Sequence, residues 1–191
     1  VPADLGYYDL RVPETRREQA ELARQYGIEG FCYWHYWFGN GRQLLQRPFQ
    51  EVLASGEPDF PFCLAWANHS WEDKQFNKEG GNKMLMEQLY PGDEDYIAHF
   101  NAVLPAFKDP RYIRVNGEPL FMIYAPMKVP DIAHFIELWQ KLAEPHGFRI
   151  HFVGHTSKTE ELPLFRQWGF NATNLVRLFD VFQKNYSLLG R

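Results

Sequence analysis

Four short apolar runs punctuate the chain, at residues 28–38, 60–66, 120–124 and 149–153, and longer amphipathic stretches separate them. Continuous apolar runs of this length read as strands of a buried sheet. The stretches between carry helix signals. Residues 12–26 open with Pro13 and Glu14, stop before Gly27, and set Ala20, Leu22, Ala23 and Tyr26 on one stripe. Residues 44–53, 93–107, 132–143 and 159–168 read the same way, with Asp93 and Asp131 at cap positions. Residues 68–91 form a long polar excursion, and 175–182 fit either a fifth strand or a helix start. Strands alternating with helices pair in parallel through right-handed crossovers. The expected fold is α/β, with one domain over residues 1–191. Two architectures satisfy it: a doubly wound open sheet, or part of a (β/α)8 TIM-type barrel. No glycine-rich phosphate loop follows a strand, which disfavours a dinucleotide-binding sheet. A whole barrel needs about 250 residues, so a barrel built from these 191 would be incomplete.

Charge and cysteine usage narrow the function. The net charge is −4, so binding driven by phosphate neutralisation, and with it nucleic acid, is not expected. No apolar stretch approaches the ~20 residues of a membrane span. Cys32 and Cys63 are too few for a disulfide scaffold and, within apolar runs, read as free buried thiols. No metal-ligand spacing is assigned. His151 and His155 lie four residues apart on a strand, about 13 Å end to end, unlike a helical zinc pair. His99, His134 and His146 read as surface or capping residues.

Aromatic residues make up 17% of the chain, and some are too clustered for packing alone to explain. Tyr33, Trp34, His35, Tyr36, Trp37 and Phe38 are consecutive rings. Side chains alternate along a strand, so Tyr33, His35 and Trp37 share one face. The face with the histidine is expected to line the site, leaving Trp34, Tyr36 and Phe38 for the covering helices. By the same alternation Trp66 and Asn68 point inward, with His69 and Trp71 above them and small Cys63, Ala65 and Ala67 toward the helices. Tyr124 and His155 end the third and fourth strands. In α/β sheets and barrels functional residues gather at such C-terminal strand ends. Tyr33, His35, Trp37, Trp66, Asn68, His69, Trp71, Tyr124 and His155 are therefore the expected sugar-binding residues. Rings suit the C–H faces of sugars, and imidazole and amide groups suit hydroxyls.

The motifs that carry these residues resemble a known family. Pro2-Ala3-Asp4-Leu5-Gly6-Tyr7-Tyr8-Asp9-Leu10-Arg11, residues 27–38, residues 60–68, Phe107-Lys108-Asp109-Pro110-Arg111-Tyr112-Ile113 and Gly117-Glu118-Pro119-Leu120-Phe121 resemble the WbsX-type family. Its members are labelled glycosyltransferases of lipopolysaccharide O-antigen and other polysaccharide loci, and it is similar to the endo-mannosidases of glycoside hydrolase family 99. The resemblance spans nearly the whole chain. It implies a (β/α)8 barrel of which these residues are the central part, an oligosaccharide or polysaccharide substrate and a bacterial, cytoplasmic setting; no cofactor is expected, since the residues offer no ligand set with usable spacing. It also assigns the catalytic carboxylates to an Asn-Glu-Trp-x-Glu segment that residues 1–191 do not contain. Many relatives continue the second strand with Glu-Asn-Trp, where this chain has His69-Ser70-Trp71. Glycosidic chemistry needs two carboxyl groups, whereas a sugar-nucleotide transferase needs a diphosphate site. With no phosphate loop and no Asp-x-Asp recognised, hydrolase-like chemistry is favoured over the transferase label. A non-catalytic carbohydrate-binding domain is the alternative.

Overall fold

The computed structural model describes residues 3–73 and 83–177. The described residues hold five α-helices: α1 (Pro13–Gln25), α2 (Arg47–Ser55), α3 (Asp93–Phe107), α4 (Ile132–Ala143) and α5 (Leu162–Gln167). The strands are β1 (Phe31–His35), β2 (Phe62–Trp66), β3 (Trp71–Asp73), β4 (Lys83–Met86), β5 (Arg114–Val115), β6 (Glu118–Ile123), β7 (His151–Thr156) and β8 (Ala172–Leu175). Local chemistry sets the boundaries. Pro13 begins α1 without losing a helical bond. Gly56, at φ 76°, ends α2 in the left-handed conformation that a side chain disfavours. Asn116 and Gly117, at φ 52° and 84°, make the turn joining β5 to β6, where two consecutive positive φ angles favour this pair.

Strands β1, β2, β6, β7 and β8 form a parallel sheet in chain order. The four runs predicted as neighbours are neighbours. A fifth parallel strand, β8, lies earlier, at Ala172–Leu175; of the segment expected at 175–182 only Leu175 belongs to it, and residues 178–182 lie outside the described residues. Two short antiparallel pairings were not foreseen: β5 beside β6, and the β3–β4 hairpin within the polar excursion. Asp93 is not the cap of α3. Gly92 holds that place, and the Asp93 carboxylate accepts from His134 Nε2 at 2.7 Å.

Residue parity decides between the two architectures. The register aligns Phe31, Tyr33 and His35 with Phe62, Leu64 and Trp66, then with Phe121 and Ile123, then with Phe152 and Gly154. Helices from every part of the chain pack on this one face. Phe31 packs against the α1 cluster, Tyr33 meets Phe49 of α2, and Trp66 meets His99 of α3 and Phe135 of α4. On β7, Gly154 lets the Phe165 ring of α5 approach so closely that a Cβ would sit 2.6 Å from it. A doubly wound sheet has helices on both faces. Here the helices gather on one face, as on the outside of a barrel, and the other face carries the half-exposed Trp34.

Candidate functional site on the open face

The helix-free face holds the second set of residues on each strand. Toward the C-terminal ends these are Trp34 and Tyr36, Ala65 and Ala67, Met122 and Tyr124, Val153 and His155, and Asn174. Small residues on β2 leave room for large rings on its neighbours. Trp34 reaches across Ala65 to meet Tyr124 edge-on, with ring centroids 5.4 Å apart. Tyr124 stacks on His155 at 4.8 Å and touches His69 at 5.3 Å. His155 Nδ1 lies 3.1 Å from Asn174 Nδ2. Next to this group, Trp71 meets Tyr36 and Phe38 edge-on at 5.2 and 5.3 Å. Partial burial lowers the pKa of His155, so the neutral imidazole is favoured. The result is a wall of rings with imidazole and amide groups set among them.

Four of the nine residues expected at the site meet here: Tyr124, His155, His69 and Trp71. The other five lie on the opposite side of the sheet. Tyr33 packs among Phe31, Phe49 and Phe62. His35 is buried against His99, their Nε2 atoms 2.9 Å apart. Trp37 stacks on His99 at 4.8 Å and donates its Nε1–H to Asp95. Trp66 donates to the Trp37 carbonyl oxygen at 3.0 Å. The face assignment is thus inverted. A face rich in ring N–H groups looked too polar for a core, but Asp95 of α3 accepts from Trp37, the Trp37 carbonyl oxygen accepts from Trp66, and His99 of α3 pairs with His35; paired polar groups are tolerated in a core. His99 is accordingly a core residue rather than a surface one. The small β2 residues turn to the open face, not toward the helices. Cys63 is buried, but Cys32, beside it on that face, is exposed.

Asn68 is fully buried as a clamp. Its amide donates to the Ala125 carbonyl oxygen at 2.9 Å and the Tyr90 hydroxyl at 3.1 Å, and its Oδ1 accepts from Ala125 N–H at 2.7 Å. These bonds hold the loop after β6 that follows Tyr124. Asn68→Ala leaves both Ala125 backbone groups without their partner. The expected result is a loss of about 1–3 kcal/mol in urea unfolding.

Sequence reasoning missed Trp34, Tyr36 and Asn174. The signal available was Cys63, Ala65 and Ala67, since small residues on one strand make room for large ones beside it. The chain does carry one Asp-x-Asp, Asp93-Glu94-Asp95, passed over as a helix start. Its aspartates are engaged apart: Asp93 with His134, Asp95 with Trp37 Nε1 and Gly41 N–H. Among the described residues no group of three or more His, Cys, Asp or Glu side chains is placed to hold a metal ion, and no helix is long and apolar enough to cross a membrane.

Comparison with known proteins places this geometry in context. A family model described as Glycosyltransferase WbsX matches residues 1–187. Proteins called WxcX, described as uncharacterized, from two strains of Xanthomonas campestris pv. campestris are 36% identical over 174 residues. That match covers 90% of this chain and 24% of theirs, so the chain spans about a quarter of their length. The GH99 endo-α-mannosidase structure from Bacteroides thetaiotaomicron superposes with a TM-score of 0.60 at 15% identity, covering 90% of this chain and 46% of that one. A second structure of that enzyme, with bis-tris-propane, gives 0.54 at 15% identity, covering 90% and 48%. The structural likeness is one of fold, and it agrees with the one-sided helix layer. The sequence match decides the family: the chain belongs to the WbsX glycosyltransferase family.

Proposed function

We propose that the open face binds an oligosaccharide for a glycosidic-bond enzyme acting on bacterial surface polysaccharide, with hydrolase-like chemistry. Membership of a family described as glycosyltransferases supports a role in carbohydrate chemistry. One observation carries the site: Tyr124 touches Trp34, His69 and His155, from three other segments, at the strand ends of a helix-free face. The rings offer flat apolar surfaces, while the Asn174 amide and the histidines offer hydrogen bonds to hydroxyls. The set contains no Asp, Glu, Lys or Arg side chain, which favours a neutral sugar over an ionic ligand. The engagement of Asp93 and Asp95 with protein groups speaks for the hydrolase-like reading over a metal–diphosphate transferase. The resemblance assigns the two carboxyl groups of that chemistry to a segment outside these 191 residues.

Tyr124→Ala tests the reading. Binding of oligosaccharides from the host's surface polysaccharide should weaken by about 1–3 kcal/mol, as for other central aromatic anchors. The melting temperature should stay nearly unchanged. Unchanged affinity would refute the site. Products separate the chemistries: release of new reducing ends without a nucleotide-sugar donor supports hydrolysis, whereas dependence on such a donor and on Mn2+ or Mg2+ supports transfer. Binding without either reaction supports a non-catalytic carbohydrate-binding role.

A further inference from the structure

A second cavity lies on the other side of the sheet, between α2 and α3 over the end of β1. It encloses about 290 Å3 and is lined by His35, the side-chain amides' owners Gln43, Gln46 and Gln50, the Phe49 ring and Ala102, among others. No lining residue is charged. At about the lower limit of small-molecule pockets, ~300 Å3, it has room for one small ring but not for an oligosaccharide.

His35 makes this more than a packing gap. The residue is only 8% exposed, and its Nε2 is taken by His99. Its Nδ1 has no hydrogen-bond partner among the described residues. His99 Nδ1 is sealed from solvent without a partner, and His35 is among the residues lining the cavity. The pair's protons follow from this. A sealed N–H without an acceptor is rarer in proteins than an under-satisfied acceptor. His99 therefore keeps its proton on Nε2 and donates it to His35 Nε2. The proton of His35 then sits on Nδ1, the ring nitrogen that His99 leaves free, as a donor in a residue of the lining. Gln43, Gln46 and Gln50 add amide donors and acceptors to the lining.

We propose that this cavity binds one small neutral polyhydroxylated molecule, the size of a single sugar ring, with a hydroxyl oxygen accepting from His35 Nδ1–H. A charged ligand would meet no counter-charge, and an apolar one would strand the imidazole N–H. Trp34 and Tyr36, whose rings belong to the open face, also border this cavity, whereas Tyr124, His69 and His155 do not, so removing the Tyr124 ring tests the two sites apart.

The test uses neutral monosaccharides, D-glucose and D-galactose, titrated at up to tens of millimolar by saturation-transfer NMR. The protein carries Tyr124→Ala, which removes the central ring of the open face. Ala102 is exposed on α3, so Ala102→Phe obstructs the cavity without disturbing the core. Gln46→Leu removes an amide instead. The expected result is a saturable signal from at least one sugar in the Tyr124→Ala protein, at least about tenfold weaker when either second substitution is added, at unchanged melting temperature. Absence of a saturable signal from both sugars overturns the inference, as does a signal that neither substitution weakens.

Discussion

Trp66→Ala should cost about 3–5 kcal/mol of folding stability, the range for truncating a large core aromatic residue. Trp66 is 1% exposed. Its ring stacks on Phe135 at 5.3 Å and meets His99 edge-on at 4.8 Å. Its N–H satisfies the Trp37 carbonyl oxygen. Truncation therefore opens a cavity where β2, α3 and α4 meet and strands a buried acceptor. Trp66→Phe, which keeps most of the volume, should recover more than half of the loss in urea unfolding. A destabilisation below about 1 kcal/mol would show that this side of the sheet is not the core, reviving the sequence-based placement of Trp66 in the binding site.

Acid should unfold the protein in a window where carboxylates are still largely ionised. Burial pushes the His35 pKa down to about 4 and drives His99 well below its ordinary value, with the neighbouring His35 contributing to the latter. In the unfolded chain both titrate near 6.5. Below that pH the unfolded state takes up protons that the folded state refuses. The stability associated with His35 is therefore complete at pH 7, declines as pH falls below about 6.5, and is lost by about pH 4. At 1.36 kcal/mol per pKa unit, His35 alone accounts for about 3 kcal/mol. Exposed ion pairs such as Arg17–Glu14 are worth little, and carboxylates held down by arginine, such as Asp109 beside Arg111, lose their advantage at lower pH. His35→Phe should lower stability at pH 7 yet flatten its fall between pH 6.5 and 4. An equal slope in wild type and variant would contradict the assignment.

The alternation of strands and helices was legible because it is local. Apolar runs, Pro13, Gly56, and the Asn116-Gly117 turn act within a few residues of themselves. Pairing in chain order followed from the crossover rule. The direction each strand face takes was not legible, because it depends on partners distant in sequence. His35 looks polar until His99, 64 residues later, supplies its hydrogen bond. Trp37 looks like a sugar-stacking ring until Asp95 accepts its N–H. Asn68 serves the backbone of Ala125, which nothing near Asn68 announces. Tyr124, His69, Trp71 and His155 reach the open face; strand ends and the loops above them can be read from strand boundaries alone. The β3–β4 hairpin escaped because Trp71–Asp73 and Lys83–Met86 are short and largely polar or exposed.

The central claim is that ligand meets the face bearing Trp34 rather than the face bearing Trp66. Oxidative footprinting of tryptophan, read by mass spectrometry with and without saturating oligosaccharide, addresses it in one measurement. Trp34 is half-exposed on the open face, Trp37, Trp66 and Trp139 are buried, and Trp168 stacks on Phe165 of α5 at the helix side. The account predicts that ligand protects Trp34 and Trp71 and leaves the oxidation of Trp168 unchanged. Protection of Trp168 with no change at Trp34 and Trp71 would place the ligand on the helix side and contradict it.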